Sequence, residues 1–257
     1  MTADRNASPR QPLWSNGLDG RLSLVTGAGR GIGRACALAL ARAGSDVIAV
    51  ARTGAELDQL EAEGEGRIRG WCEDVTTDAF FARVETLERL DILVSNAGMN
   101  RTLPIQDVDT VTLDRMLELN VRSVYRTSQA AVRVFLRNDR GGCIVHMSSQ
   151  MGHVGAAGRT VYCLTKHAVE GLTKAMAVEL APRHIRVNSV APTFIETPMT
   201  RPMFEDPAFR RAVLDSIPLG RLGQVDDVVG AVLYLVSPAA SLVTGTSLRV
   251  DGGWTAR

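Results

Sequence analysis

At 257 residues the chain has room for one large α/β core, and 45% hydrophobic against 22% charged residues excludes wholesale disorder and a disulfide-stapled miniprotein. Lys and Arg total 29 against 28 Asp and Glu, and a net charge of +1 gives no field for gripping a phosphate backbone, so no nucleic-acid partner is expected. Cys36, Cys72, Cys143 and Cys163 form no Cys-x-x-Cys pair and the four histidines no His-x-x-x-His pair, which argues against a metal site and a disulfide framework and suits a reducing cytoplasm.

Residues 1–17 are polar, with Pro, Asn and Ser and no apolar signal stretch, and read as a loose, flexible arm; no later run reaches the ~18 apolar residues of a membrane span. From residue 18 onward short apolar runs alternate with helical patterns, the rhythm of βαβ units. Arg21 to Thr26 reads as a first strand, followed by a glycine-rich turn and a helix to Ala43, where Gly44 is a stop signal. Asp46 to Ala51 is a second strand, Ala55 to about Glu63 a helix, Arg67 to Cys72 a third strand, and Asp91 to Ser95 a fourth that is apolar enough to be buried on both faces. One long helix is expected from Val111 to Arg137, then a strand from Cys143 to Met147, a helix from Val161 to Ala181, and strands from Arg186 to Ala191 and Ser247 to Val250. Five prolines within residues 192–222, between the last two strands, suit a lid over residues 193–222. With no repeat and no break in composition, residues 18–257 are expected to form one domain: α/β, a Rossmann-type doubly wound parallel sheet of about seven strands with helices on both faces.

Three features carry chemistry. Thr26-Gly27-Ala28-Gly29-Arg30-Gly31-Ile32-Gly33 lies where the first strand turns into a helix. Backbone without side chains can approach a pyrophosphate there, and the positive end of the helix dipole meets its charge. The run also suits an ordinary strand-to-helix turn, and its Gly-x-x-x-Gly-x-Gly spacing departs from Gly-x-Gly-x-x-Gly. Tyr162 and Lys166 stand four apart on one helical face in a chain with only three tyrosines and two lysines. A neighbouring ammonium favours the phenolate and is expected to bring proton exchange towards neutrality, so Tyr162 can act as acid or base. Ser149, just after the fifth strand, offers a hydroxyl to a substrate oxygen, with Ser148 beside it.

Taken together, the glycine turn, Ser149, Tyr162 and Lys166 make the chain resemble the short-chain dehydrogenase/reductase family in its short single-domain form, over residues 18–254. Asn96-Ala97-Gly98, Asn120 and the closing Val250-Asp251-Gly252-Gly253 extend the resemblance. It implies that Tyr162 is the catalytic acid/base, Ser149 steadies the carbonyl oxygen, and Lys166 lowers the phenol's pKa and holds ribose hydroxyls. Asn120 would interrupt a helix and hold a relay water, and Asn96, Ala97 and Gly98 would brace the central strand beside the cofactor. Gly27, Arg30, Gly31, Ile32 and Gly33 would cradle the dinucleotide, Asp74 and Val75 its adenine, and Ile195 and Thr197 its carboxamide. Two departures are visible: Ser95 replaces the first Asn of Asn-Asn-Ala-Gly, and Thr193 replaces the Gly of Pro-Gly, which alters the pocket near the nicotinamide. The resemblance also implies a homodimer or homotetramer, with the Tyr162 helix and the last strand as interfaces.

At the second strand's end stands Ala51 rather than an acid that would repel a 2′-phosphate, while Arg52 and Arg30 can receive one, so NADP is expected, with NAD as the alternative. Arg101, Gln150, His153, Arg159 and Glu196, with Asn100, form a polar set suited to a sugar, a polyol or a sugar acid whose carboxylate meets Arg101 or Arg159. The Asn-Ala-Gly-x-x-Arg stretch and the Asp-Gly-Gly-Trp ending also look similar to the sugar-acid and polyol dehydrogenases of that family. Two alternatives stay open: a 3-oxoacyl-thioester reductase serving an acyl carrier, and a nucleotide-sensing scaffold without catalysis.

Overall fold

The computed structural model describes residues 17–198 and 200–256; the expected arm, apart from Gly17, lies outside them. Seven strands, β1 (Leu22–Thr26), β2 (Asp46–Ala51), β3 (Ile68–Cys72), β4 (Ile92–Ser95), β5 (Gly142–Met147), β6 (Ile185–Pro192) and β7 (Ser247–Val250), form one sheet in the order β3-β2-β1-β4-β5-β6-β7. Every pairing is parallel. The chain runs outward from β1 to β3 and then returns to place β4 on the other side of β1. This reversal opens a crevice at the carboxyl ends of β1 and β4, the position where such sheets take ligands.

Strand side chains alternate between the two faces, and the core divides accordingly. Val25, Val94 and Val145 pack under α1 (Gly31–Arg42), α2 (Gly54–Glu63) and α8 (Val225–Val236). Leu24, Leu93 and Ile144 pack on the other face under α3 (Asp78–Glu85), α5 (Ser123–Asn138) and α6 (Thr160–Leu180). Both faces of the central strands are apolar because both are covered by helices.

The expected single helix over 111–137 is instead three pieces: α4 (Thr110–Leu117), a π turn from Glu118 to Arg122, and α5. The cause is Asn120, fully buried within the turn. Its Oδ1 accepts from Met99 N at 2.8 Å and its Nδ2 donates to Met99 O at 2.8 Å, which pulls the turn inward out of register. Three further helices lie outside the expected set. In α3, Thr77 accepts from Phe80 N and begins the helix; α7 (Pro207–Asp215) starts under an Asp206 cap; α8 starts with a reciprocal Gln224–Asp227 capping box. No described helix is long and apolar enough to cross a membrane.

Candidate active site

The glycine turn is built around two tight approaches. Gly27 has φ +65°, and a Cβ there would stand 2.9 Å from the Ala97 Cα. A Cβ on Gly33 would collide with the Gly27 carbonyl oxygen and Asn96 Nδ2. Only bare backbone lets β1, the start of α1 and the segment after β4 converge. Asn96 locks that convergence: its side-chain amide donates to the carbonyls of Thr26 and Gly27, each at 3.1 Å. Thr26 Oγ1 accepts from the Asn96 and Ala97 backbone amides at 3.0 and 3.1 Å. The first turn of α1, entered through Arg30 and Gly31, is thereby presented at the crevice with free N–H groups, a cradle that fits a dinucleotide phosphate.

The other expected cofactor positions surround this turn. Arg30 and Arg52 are exposed, Arg52 directly after β2. Asp74 is half-buried and Val75 buried after β3, and Asp74 Oδ1 accepts from Thr76 N and Oγ1 at 3.0 and 2.8 Å. Ile195 is buried and bridges Gly223 in parallel; Thr197 is buried with its side chain over the point where a Gly31 Cβ would stand. Glu56, which is absent from the expected set, brings its carboxylate against Gly29 from the first turn of α2. Its spacing after β2 gives no signal, because the contact depends on how α2 folds back over the glycine turn.

Ser149 caps the short 3-10 turn Gln150–Gly152 at the carboxyl end of β5, its hydroxyl accepting from Met151 N at 3.2 Å. Tyr162 stands in the first turn of α6, with Ser149 as a hydrogen-bond partner of its phenol. Lys166 follows one turn later, its Nζ 5.6 Å from the centre of the Tyr162 ring and donating to Met147 O at 2.7 Å. Asn120 Nδ2 reaches Thr165 Oγ1 at 3.2 Å, so the π turn is tied to the same helix. These four residues are thus brought together from β5, α6 and the π turn.

The electrostatics differ from the sequence expectation. Burial raises the Tyr162 phenol above its ordinary pKa; the Ser149 hydrogen bond and the Arg159 charge act in the lowering direction but do not overcome it. The Lys166 ammonium donates to the Met147 carbonyl, and burial brings its own pKa down to about 8, against a raising effect from Glu170.

The expected substrate residues separate. Gln150 is buried with Oε1 unpartnered, and Arg159 is buried at the start of α6, where desolvation lowers its pKa. Arg101 is exposed in the segment after β4. His153 Nε2 lies 2.9 Å from Ser247 Oγ and 3.4 Å from Glu170 Oε1. Glu196 accepts from Gln224 Nε2 at 2.6 Å. It lines a separate groove of about 530 Å³ with Arg34, Thr197, Arg201 and Val229, between α1, α8 and the segment after β6; neither Ser149 nor Tyr162 lines that groove.

A parallel sheet with this order and this arrangement of Ser, Tyr and Lys at its carboxyl edge defines a class, and the chain belongs to it: the short-chain dehydrogenase/reductase family. The family model described as enoyl-(acyl carrier protein) reductase matches residues 27–255. The chain is 42% identical to an L-xylulose reductase of Mesocricetus auratus, over 93% of this chain and 98% of that one. It is 39% identical to a 3-oxoacyl-(acyl-carrier-protein) reductase of Thermotoga maritima, over 92% and 98%. Among solved structures, a gluconate 5-dehydrogenase from Burkholderia cenocepacia in complex with NADP and tartrate superposes with a TM-score of 0.90 at 33% identity, covering 95% of this chain and 99% of that one.

Proposed function

We propose that this protein is an NADP(H)-dependent oxidoreductase that interconverts a secondary alcohol and a ketone on a polyhydroxylated substrate: a sugar, a polyol or a sugar acid. The observation that carries the reading is the convergence of Ser149, Tyr162 and Lys166 beside a side-chain-free turn at the sheet's switch point. The kinship with an L-xylulose reductase and a gluconate 5-dehydrogenase supports the substrate class.

The segments that follow β4, β5 and β6 carry Asn100, Gln150 and Thr193, side chains that suit hydroxyl groups better than an acyl chain.

NADP, when bound, supplies the nicotinamide that takes or gives the hydride. The exposed guanidinium groups of Arg30 and Arg52 would hold its 2′-phosphate, and the first turn of α1 its pyrophosphate. Ser149 Oγ holds the substrate oxygen, and Tyr162 gives that oxygen its proton in reduction and removes it in oxidation. Lys166 supplies the positive charge that makes the phenolate accessible during turnover. Asn120 fixes the segment carrying Met99 against α6, with the second lone pair of Oδ1 left for a relay water. The segment over residues 193–222, tied down by the Ile195–Gly223 bridge, acts as the lid that excludes water.

We also propose a homodimer or homotetramer, supported by Leu164 and Val178, 54% and 78% exposed on α6. A cytoplasmic location is supported by four free cysteines. The test of the function is kcat/KM over a panel of ketoses, polyols, sugar acids and acetoacetyl thioesters with NADP and NAD. Turnover of thioesters alone, which the Thermotoga relative makes the second reading, would remove the polyhydroxylated class.

A further inference from the structure

One buried carboxylate beside the catalytic helix has no part in the chemistry described so far. Glu170 follows Lys166 by four residues on α6, so the two share one face of the helix, and they are 4% and 5% exposed. Its carboxylate accepts hydrogen bonds from two strands of the sheet and lies beside a third element. Ser189 Oγ on β6 reaches Oε1 at 3.1 Å and Oε2 at 2.9 Å; Ser247 Oγ on β7 reaches Oε1 at 3.0 Å. His153, in the loop that follows Ser149, brings Nε2 to 3.4 Å from Oε1 while contacting Ser247 at 2.9 Å.

We propose that Glu170 is a positioning residue for Lys166: it holds the ammonium in its charged form beside Tyr162, and through His153 it ties the Ser149 loop to the same helix. This rests on the reading of Lys166 given above. Lys166 otherwise has an uncharged hydrogen-bond partner, the Met147 carbonyl. The groups facing it are Tyr162 and Glu170 from its own helix, His146 from β5, and Gly98 and Asn120 across the crevice. His146 is buried and its pKa falls to about 4, so it carries no charge at neutral pH. Facing Glu170 are Lys166, His153, Ser189 and Ser247. Among the described residues Glu170 is therefore the carboxylate whose field opposes the loss of the Lys166 proton by burial. Its oxygens are held by Ser189 on β6 and Ser247 on β7, which fixes the carboxylate against the sheet.

The experiment is the pH dependence of kcat/KM for ketone reduction in Glu170→Gln, Glu170→Asp and Ser189→Ala, with thermal melting as the check of folding. Glu170→Gln removes the negative charge while keeping the shape, and should move the alkaline limb down by about one pH unit. Glu170→Asp should restore much of that limb. Ser189→Ala, which loosens the carboxylate without touching α6, should move it the same way by less, and keeps the test usable if Glu170→Gln does not fold. An unmoved limb in the folded variants overturns the proposal whatever happens to kcat, because a purely structural tie would lower kcat without displacing the ionisation. Lys166→Met separates the two readings. If it keeps its activity, the role of Lys166 itself fails; if it is inactive while the limb of Glu170→Gln stays in place, only the role of Glu170 fails.

Discussion

Lys166 Nζ donates to the Met147 carbonyl at 2.7 Å, so the ammonium of α6 is anchored to the last residue of β5, two positions before Ser149. The helix that carries the acid/base and the strand that delivers the serine are therefore joined by the charged group itself.

That anchoring in a buried setting has a kinetic signature. With the Lys166 pKa lowered to about 8, the ammonium is lost as pH rises through that value. Because kcat/KM reports ionisations of the free enzyme, kcat/KM for reduction should fall on the alkaline side of about pH 8. A profile flat well beyond that pH would contradict the assignment.

A second titration acts on stability. His146 is fully buried on β5, with Nε2 3.0 Å from Ser128 Oγ and Nδ1 2.9 Å from Thr173 Oγ1. Burial lowers its pKa from 6.5 to about 4. Between those values the unfolded chain binds a proton that the folded chain refuses, so stability is whole above pH 6.5 and falls as pH drops towards about 4. The loss is on the order of 3 kcal/mol. Urea unfolding at a series of pH values should show this slope in the wild type and a shallower one in His146→Gln.

Cofactor choice is testable at Arg52. Removal of one guanidinium–phosphate contact costs about 1.5–3 kcal/mol, or roughly 10- to 100-fold. Arg52→Ala should lower kcat/KM with NADP by that factor and change the NAD value little. Equal losses with both cofactors would show that Arg52 does not touch the 2′-phosphate.

Much of this is legible in the sequence where the signal is local. Gly27 to Gly33, Ser149 and the Tyr162–Lys166 spacing announce themselves over a few residues, and the apolar runs of β1, β4 and β5 set a parallel sheet buried on both faces. The break at Asn120 is implied by the family resemblance but not by the apolar pattern, which continues through it, because its cause is Met99, 21 residues away. His153 looks like a pocket residue in the sequence because it follows Ser149 closely; its partners Glu170 and Ser247 are set by the pairing of β6 with β7, which no local pattern encodes. The direction of the Tyr162 pKa escapes the sequence for the same kind of reason: the spacing to Lys166 along the helix is readable, but the burial that raises the phenol's pKa is set by tertiary packing.

The most direct measurement is steady-state turnover of Tyr162→Phe beside the wild type, with NADP(H) affinity measured by fluorescence on both. Loss of the phenolic oxygen should cut kcat by about 100- to 10,000-fold while leaving cofactor affinity nearly unchanged. A Tyr162→Phe variant that reduces the same ketone at close to the wild-type kcat would contradict the claim that this phenol moves the proton.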